Sequence, residues 1–280
     1  MTQQNMKKRH HYIPVFYLNG FSDQDRRLCV YDKNKISNFN DVLIKNANST
    51  AFENNGYTII SPDGTKDSES IENKFKETED IAAPLLKKII NGQKLNNEEL
   101  GVFIWNFIAP IAIRTPLTGS TFKTIWKVRL GIEPDKQETL ESQLYTHEGT
   151  VEVLRNANWN FFEPLAGNYF LTSDNPFLSI KFDNKNVIFI LPLSKEFCAI
   201  GSPMKNIPMD FLKRKAELAN YYIIKYAYRQ VYCHLKDKKI YELVKKYKDE
   251  HGKISESQVR EAWTLYKKGS VQNSVSVSYL

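Results

Sequence analysis

Cysteine is scarce in this 280-residue sequence, and what there is follows no metal-binding pattern. The thiols Cys29, Cys198 and Cys233 are scattered, with no CxxC or Cys/His spacing for structural zinc. An odd, dispersed set suits a reducing compartment and buried side chains. A chain of this length buries roughly three quarters of its unfolded surface. We therefore expect its core to need neither a disulfide nor a structural metal.

Long apolar runs are also missing. The longest one covers residues 102–113 and is interrupted by Asn106 and Pro110. A membrane-spanning helix needs about 20 apolar residues, so this run is too short. The first nine residues are polar and basic, with no apolar stretch behind them, and we expect no cleaved leader. These absences favour a cytoplasmic protein without a membrane segment.

Familiar catalytic motifs are absent too: we find no glycine-rich phosphate loop, nucleophile elbow or HExxH. What the sequence does have is basic charge, a net +7 with a pI of about 9.0. A basic surface favours phosphate-bearing partners such as nucleic acid. The alternative is that lysine-rich helix faces are simply solvated, since much of the excess lies in residues 205–215 and 236–248.

Apolar periodicity predicts a helix-rich part at residues 70–157. The clearest helix covers residues 70–90, begins at Ser70 and ends at Gly92. The next begins near Asn97 and is apolar around nearly its whole circumference, so it should be central, with a kink at Pro110. Further helices are expected at 122–130, 138–157, 208–226, 241–247 and 256–267.

Aromatic and β-branched runs between turn residues predict strands in the second half of the chain. They lie at 159–165, 168–172, 187–191 and 197–200, with earlier strands at 28–31 and 57–60. The alternating tail 274–279 is either an edge strand or a frayed end. We predict an α+β fold, a helical core packed with an antiparallel sheet. Residues 1–280 would form a single domain with a sheet-forming part at 158–201 and a helical C-terminal part at 208–268.

Four stretches together resemble a known family. They are His10–Leu18 (HHYIPVFYL), Ile71-Glu72 with Glu79, Arg114-Thr115-Pro116, and Thr172–Pro176 (TSDNP). In this order they are similar to the bacterial family called domain of unknown function 4238, over nearly the whole chain. The resemblance implies a bacterial or phage protein of one domain without an assigned reaction. Members often carry Gln shortly before Arg-Thr-Pro, whereas this chain has none in residues 108–113.

Arg114 is the most informative single residue, because it falls on the apolar stripe of its helix. A buried charge needs a partner. Either a carboxylate such as Glu79 pairs with it internally, or its planar fork binds a phosphate or carboxylate ligand. Glu79 and Glu72 are both expected to flank the core, about 10 Å apart along their helix. The structural alternative for Glu72 is local pairing with Lys76.

Two other groups complete the predicted site. His10 and His11 should point to opposite sides of an extended segment, and we favour His11 as the general base or metal ligand. Asp174 follows a predicted strand with Ser173 and Asn175, where its carboxylate could face a pocket. The structural alternative is an Asx-type turn at Asp174-Asn175-Pro176.

These residues predict one polar pocket in which His11, Arg114, Asp174 and Glu79 are catalytic and His10, Asn175, Ser173 and Glu72 bind substrate. The first hypothesis is a phosphodiesterase or nuclease-type effector, by analogy associated with defence or toxicity, with nucleic acid as the partner. Asp174 and Glu79 would hold a divalent ion such as Mg²⁺ or Mn²⁺, or orient the histidine, although the sequence names no cofactor. The alternatives are a non-catalytic ligand-binding module with a buried Arg–carboxylate network, and a hydrolase of non-nucleic substrates.

Overall fold

A computed structural model describes residues 8–181, 187–203, 207 and 209–267 of the chain. The predicted strand at 274–279 lies outside these residues. The helices are α1 (Val15–Leu18), α2 (Ser70–Ile90), α3 (Asn97–Phe103), α4 (Ala109–Ile113), α5 (Pro116–Leu130), α6 (Lys136–Tyr145), α7 (His147–Arg155), α8 (Met209–Lys213), α9 (Lys215–Tyr226), α10 (Lys238–Lys246) and α11 (Glu256–Lys267).

The strands are short and antiparallel. They are β1 (Arg9–His11), β2 (Arg27–Asp32), β3 (Leu43–Asn46), β4 (Phe52–Asn54), β5 (Ile59–Ile60), β6 (Lys66–Asp67), β7 (Asn158–Phe162), β8 (Thr172–Ser173), β9 (Leu178–Lys181), β10 (Val187–Pro192), β11 (Cys198–Ser202) and β12 (Gln230–Cys233). Helices and antiparallel sheets together confirm the predicted α+β class.

An antiparallel sheet from the second half of the chain is present, in the order β7-β11-β10-β9. Its strand β9 was not predicted, and the predicted strand 168–172 is wrong except for Thr172, which belongs to β8 in another sheet. Its central strands pair Leu191 with Ala199 and Ile190 with Ile200, and all four of these residues are buried. A second four-stranded sheet has the order β3-β2-β12-β8. It joins β2 and β3 from the first 50 residues to β8 and β12 from the second half of the chain. Two smaller pairs, β1-β4 and β5-β6, complete the strands.

The helical middle follows the predicted periodicity with one local change. Helix α2 buries the apolar residues expected of it: Ile71, Phe75, Ala82, Leu86 and Ile89. The next helix does not kink simply at Pro110. A π turn at Ile104–Ile108 separates α3 from α4, and Pro110 lies in the first turn of α4. A π turn frees a proline from the carbonyl it would otherwise meet, because it shifts the hydrogen-bond ladder.

Several element boundaries differ from the predictions. Residues 138–157 form two helices, α6 and α7, that break at Thr146. Helix α5 begins at Pro116, six residues before the predicted start, with Thr115 as its N-cap. The predicted helix at 208–226 is divided into α8 and α9, and the chain then continues into the unpredicted strand β12.

Within the described residues, no single helix is long and apolar enough to cross a membrane. One pair, Asn97–Ile113 with Pro116–Leu130, passes the length and composition test only when taken together, and it is bent by 63°.

The main core draws buried residues from the N-terminal segment, the helical middle and both large sheets. A small separate cluster of Tyr57, Ile71, Phe75 and Leu140 lies beside it. This second cluster brings together the β4–β5 loop, α2 and α6. Its member Phe75 contacts the guanidinium of Arg114.

Candidate functional site

Arg114 occupies the corner between α4 and α5. It is the C-cap of α4, and the following Thr115 caps the N-terminus of α5 by accepting from the Thr118 N–H. The side chain is only 2% exposed, and its Nη2 lies 2.8 Å from Oε1 of Glu79. Its guanidinium also lies over the ring of Phe75, with Cζ 4.8 Å from the ring centroid. The corner therefore holds a cation almost entirely out of water.

The pairing of Arg114 is incomplete. Its Nε and Nη1 are buried and have no hydrogen-bond partner within the described part of the chain. A buried donor without an acceptor costs about 1–3 kcal/mol, and more when it is charged. The ion pair with Glu79, which the sequence offered as the structural alternative, thus satisfies only one edge of the guanidinium. Nε and Nη1 therefore have no acceptor among the described residues, although both atoms are buried.

Glu72 and Glu79 share the face of α2 that meets Arg114. Burial raises the pKa of Glu72, the nearby charge of Glu79 raises it further, and Arg114 lowers it. One oxygen of Glu72, Oε2, is buried without a partner. The alternative pairing of Glu72 with Lys76 is not formed among the described residues. Two carboxyl groups thus lie beside one guanidinium, and only Glu79 pairs with it directly.

His10 and His11 lie on opposite sides of β1, as expected for adjacent residues in a strand. His10 is buried, and its Nδ1 accepts the backbone N–H of Tyr57 at 2.8 Å. This bond assigns a neutral ring with the proton on Nε2. Burial lowers the pKa of His10, although the Ser68 carbonyl raises it in part. His10 is therefore a hydrogen-bond donor on its Nε2 side and not a ready base.

Burial is the largest effect on the pKa of His11 and lowers it. The carbonyl of Asn48, 3.2 Å from Nε2, and the charge of Glu79 raise this pKa, whereas the charge of Arg114 lowers it. That carbonyl can only accept, so the neutral ring carries its proton on Nε2 and keeps a lone pair on Nδ1. The Nδ1 lone pair of His11 can accept a proton, but the lowered pKa makes the ring a weaker base than an exposed histidine.

A cavity of about 250 Å³ opens beside Arg114. Its wall includes the first turns of α5 and the tyrosines Tyr12, Tyr57 and Tyr228. Two lysines, Lys123 and Lys136, also line it. The preferred residue His11 does not line this cavity, whereas His10 does. The strand direction explains the difference, since only alternate side chains of β1 can face the cavity.

Three cations, Arg114, Lys123 and Lys136, and one carboxylate, Glu53, line this wall. Lys136 pairs with Glu53 at 3.0 Å, while Lys123 is exposed and has no ion-pair partner among the described residues. The N-terminus of α5, with its partial positive charge, lies at the same place as Arg114. Cations, a helix N-terminus and N–H donors together favour an anion. We call this site the Arg114 cavity.

Asp174 belongs to a different group of side chains. It is 2% exposed, and its carboxylate accepts three backbone N–H groups, from Tyr228 at 2.9 Å and from Arg229 and Gln230 at 2.8 Å each. Burial raises the pKa of Asp174 to about 7, while the three N–H donors and the charge of Lys33 lower it. With its acceptor positions used by the backbone, this carboxylate fixes a turn and does not face a ligand.

Ser173 and Asn175 also act on local structure. The Ser173 hydroxyl donates to the carbonyl of Asn175 at 2.9 Å and accepts its N–H at 3.2 Å. Asn175 Nδ2 donates to the carbonyl of Tyr226 at 3.2 Å. The turn alternative at TSDNP is therefore present, but it is stabilised by Ser173 and not by an Asx-type contact of Asp174.

The predicted single pocket is thus divided. His11, Glu79 and Arg114 come together, with His10 and Glu72 close by, whereas Asp174, Ser173 and Asn175 lie in the second group. No hydrogen bond or ion pair joins the two groups among the residues that the structure describes. Asp174 and Glu79 make no direct contact among the described residues, and a divalent ion shared by them stays a prediction. Tyr12 is close to both groups. It lines the Arg114 cavity, and burial together with the charge of Asp174 raises the pKa of its hydroxyl.

A metal centre has no evident donor set. Over residues 8–181, 187–203, 207 and 209–267, no group of three or more His, Cys, Asp or Glu side chains is arranged to hold a metal ion.

A larger cavity of about 840 Å³ is mainly apolar. It meets a different set of α5 residues, Leu117 and Thr121 among them, and Asn175 contributes to its wall. Of the predicted site residues, only Asn175 lines it. It offers no counterpart of the Arg114 guanidinium, so it is not the predicted polar pocket.

Sequence reasoning missed Lys33, Tyr228, Lys123 and Lys136. Lys33 stands in the charged turn after β2 and looks solvated in sequence, yet it is only 2% exposed. No local pattern signals its burial, since its partners are backbone carbonyls from distant segments. The two wall lysines are ordinary helix-surface residues in sequence. Only the fold shows that they line the cavity with Arg114.

The chain matches one family model, described as "Protein of unknown function (DUF4238)", over residues 9–237. No curated protein and no solved structure matches the chain. The matched region includes all the predicted site residues, from His10 to Asn175.

Proposed function

This chain belongs to the DUF4238 family, and we propose that its Arg114 cavity binds a phosphate-bearing ligand. The observation that carries the proposal is the buried guanidinium, which has one carboxylate partner and two further N–H positions without an acceptor. Phosphate oxygens suit such donors, because charge-assisted bonds to Arg are strong and directional.

The surroundings support an anion over a cation or a neutral ligand. Lys123 adds a positive charge without an ion-pair partner among the described residues, Lys136 adds one that Glu53 offsets in part, and the α5 N-terminus adds a partial positive charge. The cavity is slightly smaller than the 300–1,000 Å³ or so of drug-sized ligand sites. We therefore infer a small phosphate compound or the terminal phosphate of a larger one.

Isothermal titration calorimetry with inorganic phosphate tests the proposal. The wild type should bind, and Arg114→Met should weaken binding about 10- to 100-fold, since a hydrogen bond to a charged group contributes about 1.5–3 kcal/mol. Lys123→Met should weaken it less, and the exposed Lys94→Met serves as the matched control. Equal affinity of folded Arg114→Met and wild type would contradict the proposal. So would an equal loss in the Lys94 control.

The second candidate is phosphodiester cleavage by a nuclease-type effector, with its associated role in defence or toxicity. It is favoured by one observation, the neutral His11 beside Glu79 and Arg114. His11 would remove a proton and Arg114 would stabilise charge on the phosphate. Labelled RNA and DNA would be incubated with Mg²⁺, Mn²⁺ or EDTA. Cleavage by the wild type that is lost in His11→Ala would support this candidate. Phosphate binding without cleavage would instead favour a non-catalytic ligand-binding module.

A further inference from the structure

The connection between α9 and β12, residues 227–229, is held by side chains from outside it. It is short, and it carries Tyr228 to the wall of the Arg114 cavity. The end of α9 leaves carbonyls without helical partners. The Ala227 N–H still donates to the Ile223 carbonyl, but the N–H groups of the residues after it have no helical acceptor. Both sets need partners where water is excluded, since Ala227 is buried and residues 228–230 are only partly exposed.

Lys33 supplies the donors. Its Nζ donates to the carbonyls of Lys225 at 3.1 Å, Ala227 at 3.2 Å and Glu250 at 2.7 Å. An ammonium group has three N–H donors, and all three are used here. Its positive charge at the C-terminus of α9 also suits the helix dipole.

Asp174 supplies the acceptors from the other side. Its two carboxylate oxygens take the N–H groups of three consecutive residues, 228–230. Arg229 is fixed in addition by Asp32, with Nη2 2.6 Å from Oδ2. The peptide groups on both sides of Tyr228 are therefore bound by two oppositely charged, buried side chains.

We propose that Lys33 and Asp174 are positioning residues for the Arg114 cavity, acting through Tyr228. This inference rests on the proposed phosphate binding. Neither residue lines the cavity. Their effect on a ligand is indirect: they fix the backbone from which the Tyr228 side chain extends. The same arrangement gives a reason for the TSDNP motif, because it brings the carboxylate of Asp174 to this connection.

The test is a double-mutant cycle with inorganic phosphate as the probe. Lys33→Met and Asp174→Asn are each made in the wild type and in a Tyr228→Ala background. Each single variant should lower phosphate affinity about 3- to 10-fold, and should add almost nothing when Tyr228 is already truncated. The buried Val244→Ala in α10 controls for general destabilisation and should bind phosphate like the wild type.

Amide hydrogen exchange gives a second measurement that needs no ligand. Exchange at residues 228–230 should become at least tenfold faster in Lys33→Met and in Asp174→Asn, but not in Val244→Ala. Unchanged exchange would overturn the inference. Two results of the phosphate titrations would also overturn it. One is that the affinity losses of Lys33→Met and Asp174→Asn add fully to the loss of Tyr228→Ala, and the other is that Val244→Ala lowers the affinity as much as they do. Absence of phosphate binding by the wild type would instead overturn the proposed function, and the exchange rates would still decide whether the two side chains hold the connection.

Discussion

Replacing Arg114 by methionine removes one partner of a buried ion pair, and its cost can be worked out from the contacts. Breaking such a pair costs about 3–5 kcal/mol when the remaining charge stays buried. Here the remaining carboxylate, Glu79, is 26% exposed, so water can reach it. The variant also removes Nε and Nη1, which lack partners in the folded chain. These two effects reduce the expected loss in unfolding free energy to about 1–3 kcal/mol.

The loss should depend on pH. In the wild type, Arg114 lowers the pKa of Glu72 against the raising effects of burial and Glu79. Without Arg114, the pKa of Glu72 in the folded chain rises further above its unfolded value. A native carboxyl group that holds its proton more tightly than the unfolded one loses stability as pH rises. The gap between wild type and Arg114→Met should therefore widen between pH 5 and pH 8.

Urea unfolding of wild type, Arg114→Met, Glu79→Gln and the double variant at both pH values measures this directly. The coupling energy between the two positions should be about 1–3 kcal/mol, in the range found for contacting charged residues. A coupling energy near zero, together with a gap that does not change with pH, would refute the reasoning. It would show that the pair does not stabilise the folded chain.

Three further predictions concern other parts of the fold. Asp174→Asn should gain stability relative to wild type as pH rises from about 4 to about 7 and then stay level, because burial raises the native pKa of Asp174 from the ordinary 3.8 to about 7. A difference in urea unfolding that stays flat from pH 5 to pH 8.5 would show that the three N–H donors and Lys33 outweigh burial. Lys33→Met should lower the unfolding free energy by about 2–4 kcal/mol, since it leaves three carbonyls without their donor; thermal unfolding against the exposed Lys94→Met checks this. Gly201→Ala should cost about 1–3 kcal/mol, as a Cβ there would lie 2.9 Å from the ring of Trp159. Gly149→Ala, where a Cβ would meet nothing within 4 Å, should be neutral or stabilising, and urea unfolding of both variants tests the contrast.

The parts of the fold that sequence predicts are those set by local periodicity. Helix α2 matches its predicted range because its apolar spacing, start and end signals all agree. Three strands of the sheet β7-β11-β10-β9 were also predicted from the sequence, and they follow one another closely in the chain. The exception is β9. The sheet β3-β2-β12-β8 was not predicted, because β2 and β12 are about 200 residues apart and nothing local specifies that pairing.

The candidate site shows the same contrast between what the sequence pattern indicates and what only the fold determines. The need of Arg114 for a carboxylate follows from burying a charge, and that argument identifies Glu79 correctly. Asp174 could not be assigned in this way, because its partners are backbone N–H groups, which every residue has. The same holds for Lys33, whose partners are backbone carbonyls. Sequence can indicate that a charge is buried, but it identifies the partner only when that partner is itself a distinctive side chain.

The most direct measurement is the position of a bound phosphate analogue in crystals of the wild type soaked in tungstate. The anomalous signal of tungsten should locate the anion in the Arg114 cavity, within hydrogen-bond distance of the guanidinium and near Lys123. The same peak should be missing in Arg114→Met crystals. Peaks confined to surface lysines, with an empty Arg114 cavity, would contradict the account.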